Sequence, residues 1–301
     1  MLRERRRFLY PMSTRRQRQP PQWVTGKPAR RPLRRNIVAL VAIAFLILVT
    51  AAVICAPLIA PARPMQVDTA AQFSPPSRAH PLGADFLGRD VLSRLLYGGR
   101  LTLGVGMLAA LVAALPGLAL GLIAGFSDGW VDALIMRMVD VLLSIPYLLL
   151  ALTVVALMGQ RLEGVALGIG LAGMSGTVRV VRTAVMGVKR RPFVLAARSV
   201  GCTEARVLLR HILPNVAGTA LVMATLQVGW AILNASALTF LGVGAPPGVP
   251  EWGAMLHEGR LYLREAPWVA VASGGMLTLT VLAVNLVGDG LRDAIDPRLR
   301  M

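Results

Sequence analysis

Six long apolar segments dominate this sequence, at about residues 37–60, 101–125, 133–158, 164–186, 216–243 and 268–288. Each is long enough to cross the roughly 30 Å hydrocarbon core of a bilayer as an α-helix, which takes about 20 residues. The pattern predicts an all-α polytopic membrane protein with six transmembrane helices. The chain is 55% hydrophobic and only 16% charged, against about 45–50% and about 25% for a soluble globule. Six spans in 301 residues leave little chain for a soluble domain.

The charges fall mainly between the apolar runs. A net charge of +17 would suggest nucleic acid as the partner of a soluble protein. In a polytopic chain it reads instead as an orientation signal, because basic residues accumulate in cytoplasmic loops. With a cytoplasmic N-terminus, 23 of the 32 basic residues lie on the cytoplasmic side and 8 in the external loops. Both termini are therefore expected inside.

Residues 1–36 carry 12 basic residues and one acid, Glu4, with no apolar periodicity. They are expected to form a disordered cytoplasmic tail. The following run at 37–60 exceeds the 7–15 residues of a signal-peptide core, so it reads as an uncleaved membrane anchor. Residues 61–96 form an extracytoplasmic segment, turning amphipathic around Phe86, Leu87, Val91, Leu92 and Leu95. Pro116 and Pro146 lie inside spans and are expected to kink them. Arg137 and Asp140, one helical turn apart near the start of the third span, are expected to form a local ion pair. Gly117, Gly121 and Gly125, and likewise Gly164 and Gly168, repeat every four residues and predict close helix packing. The fourth span carries Arg179 and Arg182, so its helix is expected to leave the hydrocarbon near Val178 and continue into water.

Motifs for chemistry in the chain itself are missing. There is no G-x-x-x-x-G-K-[ST] phosphate loop. The G-x-G-x-x-G match at Gly168–Gly173 lies inside an apolar span, with neither the strand nor the acid that dinucleotide binding requires. His257-Glu258 lacks a second histidine at helical spacing, and the two cysteines, Cys55 and Cys202, support neither a disulfide framework nor a zinc site. Neither a cofactor nor a metal is expected in this chain.

One segment breaks the pattern. Residues 193–215, between the fourth and fifth spans, form a polar, helix-prone island. Ala196-Ala197, Gly201 and Leu213-Pro214 read as a short helix, a glycine that can turn or admit close contact, and a second short helix stopped by proline. Phe193, Val194, Ala197 and Val200 fall at helical spacing, so one face can enter a partner's groove. Arg198, Arg206 and Arg210 equally suit an amphipathic helix lying on anionic headgroups. The residues alone leave both readings open.

The island resembles the EAA loop of ABC importer permeases: E-A-A, three residues, G, nine residues, I-x-L-P. Here Ala196-Ala197, Gly201 and Leu213-Pro214 stand in register, while Leu195 replaces the Glu and His211 the Ile. Further strings resemble the dipeptide/oligopeptide/nickel permease subfamily. They are Asp85-Phe-Leu-Gly-Arg-Asp90 through Arg100, Met136-Arg137 through Pro146, Ala237 through Gly242, Trp252 through Met255, and Asn285 through Asp296-Pro. The closing Gly-Asp-Gly-Leu-Arg-Asp resembles the C-type member of the permease pair.

The resemblance implies a type I ABC importer permease fold, with a permease domain over 97–290 and a cytoplasmic C-terminal tail over 291–301. It implies a homologous B-type permease, two ATP-binding subunits and an extracytoplasmic solute-binding protein as partners. ATP and Mg would be bound by those subunits. The Ala-Ala segment would be a cytoplasmic coupling helix, with Val194, Ala196, Ala197, Arg198, Gly201, Leu213 and Pro214 coupling to the ATPase. The expected cargo is di- or oligopeptides, with nickel, a metallophore or glutathione as alternatives within the class. A stand-alone secondary transporter would need inverted repeats and ion-coupling carboxylates, and the spans hold almost none beyond Asp140. Glu251 and Trp252, in the external loop from Val243 to Ala266, are read as part of a packed loop, with contact to the binding protein as the alternative.

Overall fold

A computed structural model describes residues 37–295. The expected basic tail at 1–36 and the last residues of the C-terminal tail lie outside these. The described helices are α1 (Ile37–Ile54), α2 (Ala56–Ile59), α3 (Val91–Phe126), α4 (Trp130–Ser144), α5 (Tyr147–Met158), α6 (Leu162–Lys189), α7 (Pro192–Ser199), α8 (Glu204–Arg206), α9 (Leu213–Phe240), α10 (Trp252–Gly259) and α11 (Pro267–Ile295). Five helical runs are each long and apolar enough to cross a membrane, six if the bent pair α4–α5 counts as one span. The last helix continues to Ile295, past the boundary expected at 290.

The break in the third span is sharper than a kink. The helices α4 and α5 meet at 90°. Ile145 is extended, at φ −94° and ψ 125°, because the ring of a following proline disfavours the helical region for the residue before it. Pro146 then opens α5. Pro116, by contrast, lies within an uninterrupted α3.

Glycines set the central crossing of α3 on α6. A Cβ at Gly117, Gly121 or Gly125 would come within 2.7 Å of Thr177, Val181 and Val185 respectively. The expected close packing is therefore one glycine face of α3 against one β-branched face of α6. Gly168 meets the backbone of Ala151 on α5 in the same way, at 2.9 Å.

The two ends of the bundle differ. At one end lie the C-terminus of α1, the segment 61–90, the start of α3 and α10. A buried ion network closes this end. The Asp85 carboxylate accepts from Arg89 Nε (2.7 Å), from Arg94, and from the backbone N–H groups of Leu87 and Arg89. Arg89 and Arg94 also donate to Glu258 of α10, at 2.9 and 2.8 Å. The Glu251 carboxylate is buried and caps α10 through Ala254 N–H, while also accepting from Thr102 and Thr239. Trp252 is fully buried and donates from Nε1 to the Leu95 carbonyl. These two residues are thus packed into the bundle, as the sequence reading preferred.

At the other end lie the turn 127–129, the 190–212 loop and the C-terminus of α11, whose Ile295 packs at Gly218. Here one expectation fails. Asp140 does not pair with Arg137 on its own helix. It accepts from Arg179 of α6 at 2.6 Å. A deeper partner pair, Arg182 to Asp132, is bidentate with both contacts at 2.6 Å. A guanidinium on a neighbouring helix can meet a carboxylate squarely, whereas i,i+3 neighbours constrain the approach along one surface.

Candidate functional site between the fourth and fifth spans

The polar island folds as a compact hairpin outside the apolar spans. The helix α6 ends at Lys189, and Arg191 opens α7 with Pro192 in its first turn, where proline's missing N–H costs nothing. After Ser199, Gly201 sits at φ +84°. Its N–H donates to Arg198 O at 2.9 Å and Cys202 N–H to Ala197 O at 3.1 Å. These two bonds make a Schellman stop, which calls for a left-handed residue at that position. No atom lies within 4 Å of a Cβ built on Gly201, so its requirement is conformational rather than steric. Gly201→Val is expected to cost about 1–2 kcal/mol, the penalty of a left-handed β-carbon. Asn at the same position should cost less, and thermal unfolding of the two variants measures the difference.

The chain re-enters helix at Thr203, whose Oγ1 accepts from Arg206 N–H. The expectation that Pro214 stops a second short helix is not met. The helix runs on from Glu204 to Phe240, passing through a π-helical turn at Val207–Ile212. Leu213 N–H reaches back five residues to Leu208 O. This wider turn relieves the clash that a proline ring makes with the carbonyl four residues before it.

The proposed coupling residues divide between two faces. Val194 and Ala197 are buried, packing with Val181, Val185 and Val188 of α6 and with Val207, Ile212 and Val216. They anchor α7 on its own bundle and do not face outward. Arg198 donates to Glu204 at 2.8 Å and stacks over the Phe126 ring. Leu213 is half-buried, while Ala196 and Pro214 are exposed. The outward face of α7 is instead Phe193, Leu195, Ala196 and Val200, with Leu195 53% and Val200 80% exposed. The sequence missed this split because 3.6-residue periodicity gives an apolar stripe without saying what covers it. Leu195 also helps line a cavity of about 340 Å³ with Asp128, Lys189, Arg190 and Arg198.

The loop is held from behind by the turn after α3. Lys189 donates to the Phe126 carbonyl and to Asp128 at 2.7 Å. Its hydrogen bond, and then its charge, hold the Asp128 carboxyl below the usual carboxylate range. A lowered folded-state value means that the pair contributes above about pH 4 and is lost only as pH falls through it. Asp128 is 92% exposed, so this pair adds little. The partly buried, bidentate Arg182–Asp132 bridge is the stronger tie.

The bundle thus carries, between its fourth and fifth spans, a short helix anchored on its own core with an apolar face left outward. Residues 117–301 match the family described as binding-protein-dependent transport system inner membrane component, and the chain belongs to that family. Residues 26–76 match the N-terminal TM domain of oligopeptide transport permease C. The chain is 44% identical to the glutathione transport system permease protein of Pectobacterium atrosepticum, over 75% of each chain. It is 38% identical to the dipeptide transport system permease protein of Alkalihalophilus pseudofirmus, over 91% of this chain and 90% of that one. A solved structure of the MetNI methionine ABC transporter in inward-facing conformations matches with a TM-score of 0.55 at 16% identity. That match covers 67% of this chain and 97% of the other, and it shows that the fold is that of a type I importer permease.

Proposed function

We propose that this chain is the C-type permease subunit of an ATP-driven importer for di- or oligopeptides, working with a B-type permease, two ATP-binding subunits and an extracytoplasmic binding protein. Both termini and α7 lie in the cytoplasm, as the basic-residue bias indicates. The observation that carries the reading is α7 itself. Its inner face is locked to α6 and α9 through Val194 and Ala197, while its outer face is apolar and unpartnered among the described residues. A push on such a helix moves two spans as one body, which is what rigid-body transmission between two access states requires. The free energy comes from nucleotide on the ATP-binding subunits, and this chain performs no catalysis.

The test replaces Ala196 or Val200 with Glu in the assembled importer. ATP-driven uptake of trialanine is expected to fall at least ~10-fold, a loss of about 1.4 kcal/mol in coupling, while the bundle still inserts and assembles. Unchanged uptake in both variants, or uptake by the purified chain without ATP-binding subunits, would overturn the reading. A charge at Ala197 is a poorer probe, because that side chain is buried and its loss would unfold the loop. The relative named for glutathione favours a second cargo of the same chemistry, a short amide-linked peptide. Competition between glutathione and trialanine for uptake separates the two.

A further inference from the structure

The loop between the fourth and fifth spans leaves a socket beside the outward face of α7. It is the cavity of about 340 Å³ enclosed by the turn after α3, the end of α6 and the side of α7. Met186 and Leu195 give it an apolar wall, and its polar lining is Ser127, Asp128, Asp132, Lys189, Arg190 and Arg198. Both acids of that lining already have a base of their own. Asp132 offers both oxygens to Arg182, at 2.6 Å each, and Asp128 accepts from Lys189 at 2.7 Å.

The bases are not all matched in return. Arg190 is exposed, and its guanidinium has no partner among the described residues. Arg198 donates from one Nη to Glu204 at 2.8 Å, but its Nε is buried and without a hydrogen bond among the described residues. The Ser127 hydroxyl has no partner among them either. What the socket lacks is therefore an acceptor. A guanidinium N–H shut away from water without one is costly, and apolar surface laid over Arg190 would add an unpaired buried charge. Leu195, 53% exposed, belongs both to the socket and to the outward face of α7. A partner seated on that face thus also covers the mouth of the socket. Such a partner must bring an acceptor with it, and a carboxylate on a short apolar stem suits both the donors and the apolar wall.

We propose that this socket receives an aspartate or glutamate side chain of the ATP-binding subunit, which pairs with Arg190 and Arg198 as that subunit seats on α7. The inference rests on the importer reading and adds to it the chemistry of one contact. It also gives a reason for Leu195, which stands where the EAA pattern has Glu. A glutamate there would stand at the wall of the socket and supply a carboxylate from within the chain. Arg190 and Arg198 would then be answered internally, and the partner's acid would meet a like charge. An apolar residue leaves both guanidiniums free for the partner.

The test uses the permease pair in lipid nanodiscs that contain phosphatidylserine, with its ATP-binding subunits added from solution. Arg190 and Leu195 are exposed, so replacing them does not disturb the core. The dissociation constant is expected to rise at least ~10-fold for Arg190→Glu and for Leu195→Glu, but less than ~3-fold for Leu195→Lys. A face that needed only apolar contact would lose equally to Glu and to Lys, so equal losses at Leu195 would overturn the proposal. Arg190→Lys then places a primary amine at the socket. In the assembled complex, a water-soluble carbodiimide condenses amine and carboxylate into an amide with loss of water. It is expected to join that amine to an Asp or Glu of the ATP-binding subunit, and tryptic mass spectrometry locates the link. A link to Asp128 alone, or no link, would sink the assignment. A link to phosphatidylserine would do the same and give the socket to the membrane surface. Failure of the ATP-binding subunits to bind the unmodified permease pair would overturn the importer reading itself, and the socket's occupant with it.

Discussion

Asp85→Asn is expected to destabilise the end of the bundle that holds residues 61–90 by about 3–5 kcal/mol, the cost of removing one partner from a buried ion pair. Asp85 is almost fully buried, and its carboxylate holds both Arg89 and Arg94 while accepting two backbone N–H groups of its own turn. An amide keeps the size of the group but replaces an acceptor oxygen with a donor and removes the charge. Two guanidiniums would then share only the Glu258 carboxylate, which reaches them from α10. Glu258→Gln should cost less, because Glu258 is the most exposed member of the network and Asp85 would still face both arginines. Thermal unfolding of the three purified proteins gives the ranking, together with proteolysis of the 61–90 segment. Equal stability of wild type and Asp85→Asn would show that the network does not hold that segment.

The second large effect is expected at the α3–α6 crossing. Gly121→Leu has no space to occupy: a Cβ there would lie 2.7 Å from Val181 and 2.9 Å from the Val178 carbonyl oxygen. A valine side chain can rotate, but a helix backbone cannot move without carrying the whole helix. Even Gly121→Ala should cost about 1–3 kcal/mol, the usual range for overpacking. Leu should separate the two helices and leave no monodisperse protein. Gly275→Ala on α11 is the control, since nothing lies within 4 Å of its added carbon. Association of helices in lipid depends on such close contacts, because burial of apolar surface gives no advantage there. Size-exclusion profiles and melting temperatures of the three variants in one detergent would show the contrast.

Much of this was legible in the chain. Apolar run length gave the six crossings, since hydrocarbon thickness sets the count of residues needed. Four-residue glycine spacing gave the packed face of α3, because that spacing returns to one side of a helix. Gly201 and Pro214 marked the loop. The outcome at Pro214 differed because a π-helical turn, which no local pattern announces, let the helix continue. The inward direction of Val194 and Ala197 was also hidden, as were the roles of Asp85, Glu258 and Asp132, because each depends on residues far away in the sequence.

The sequence by itself determined that the chain crosses a membrane several times, that its one polar island lies between the fourth and fifth crossings, and that its motifs are those of an importer permease. The first two follow from local quantities, segment length and charge position, and the third from resemblance to a known family. Only the tertiary structure decided which face of α7 is left free, that Asp140 answers Arg179 rather than Arg137, and that Asp85 gathers Arg89 and Arg94 beside Glu258. Those are matters of which helices meet and at what height, and the energy that fixes them is shared between residues tens of positions apart.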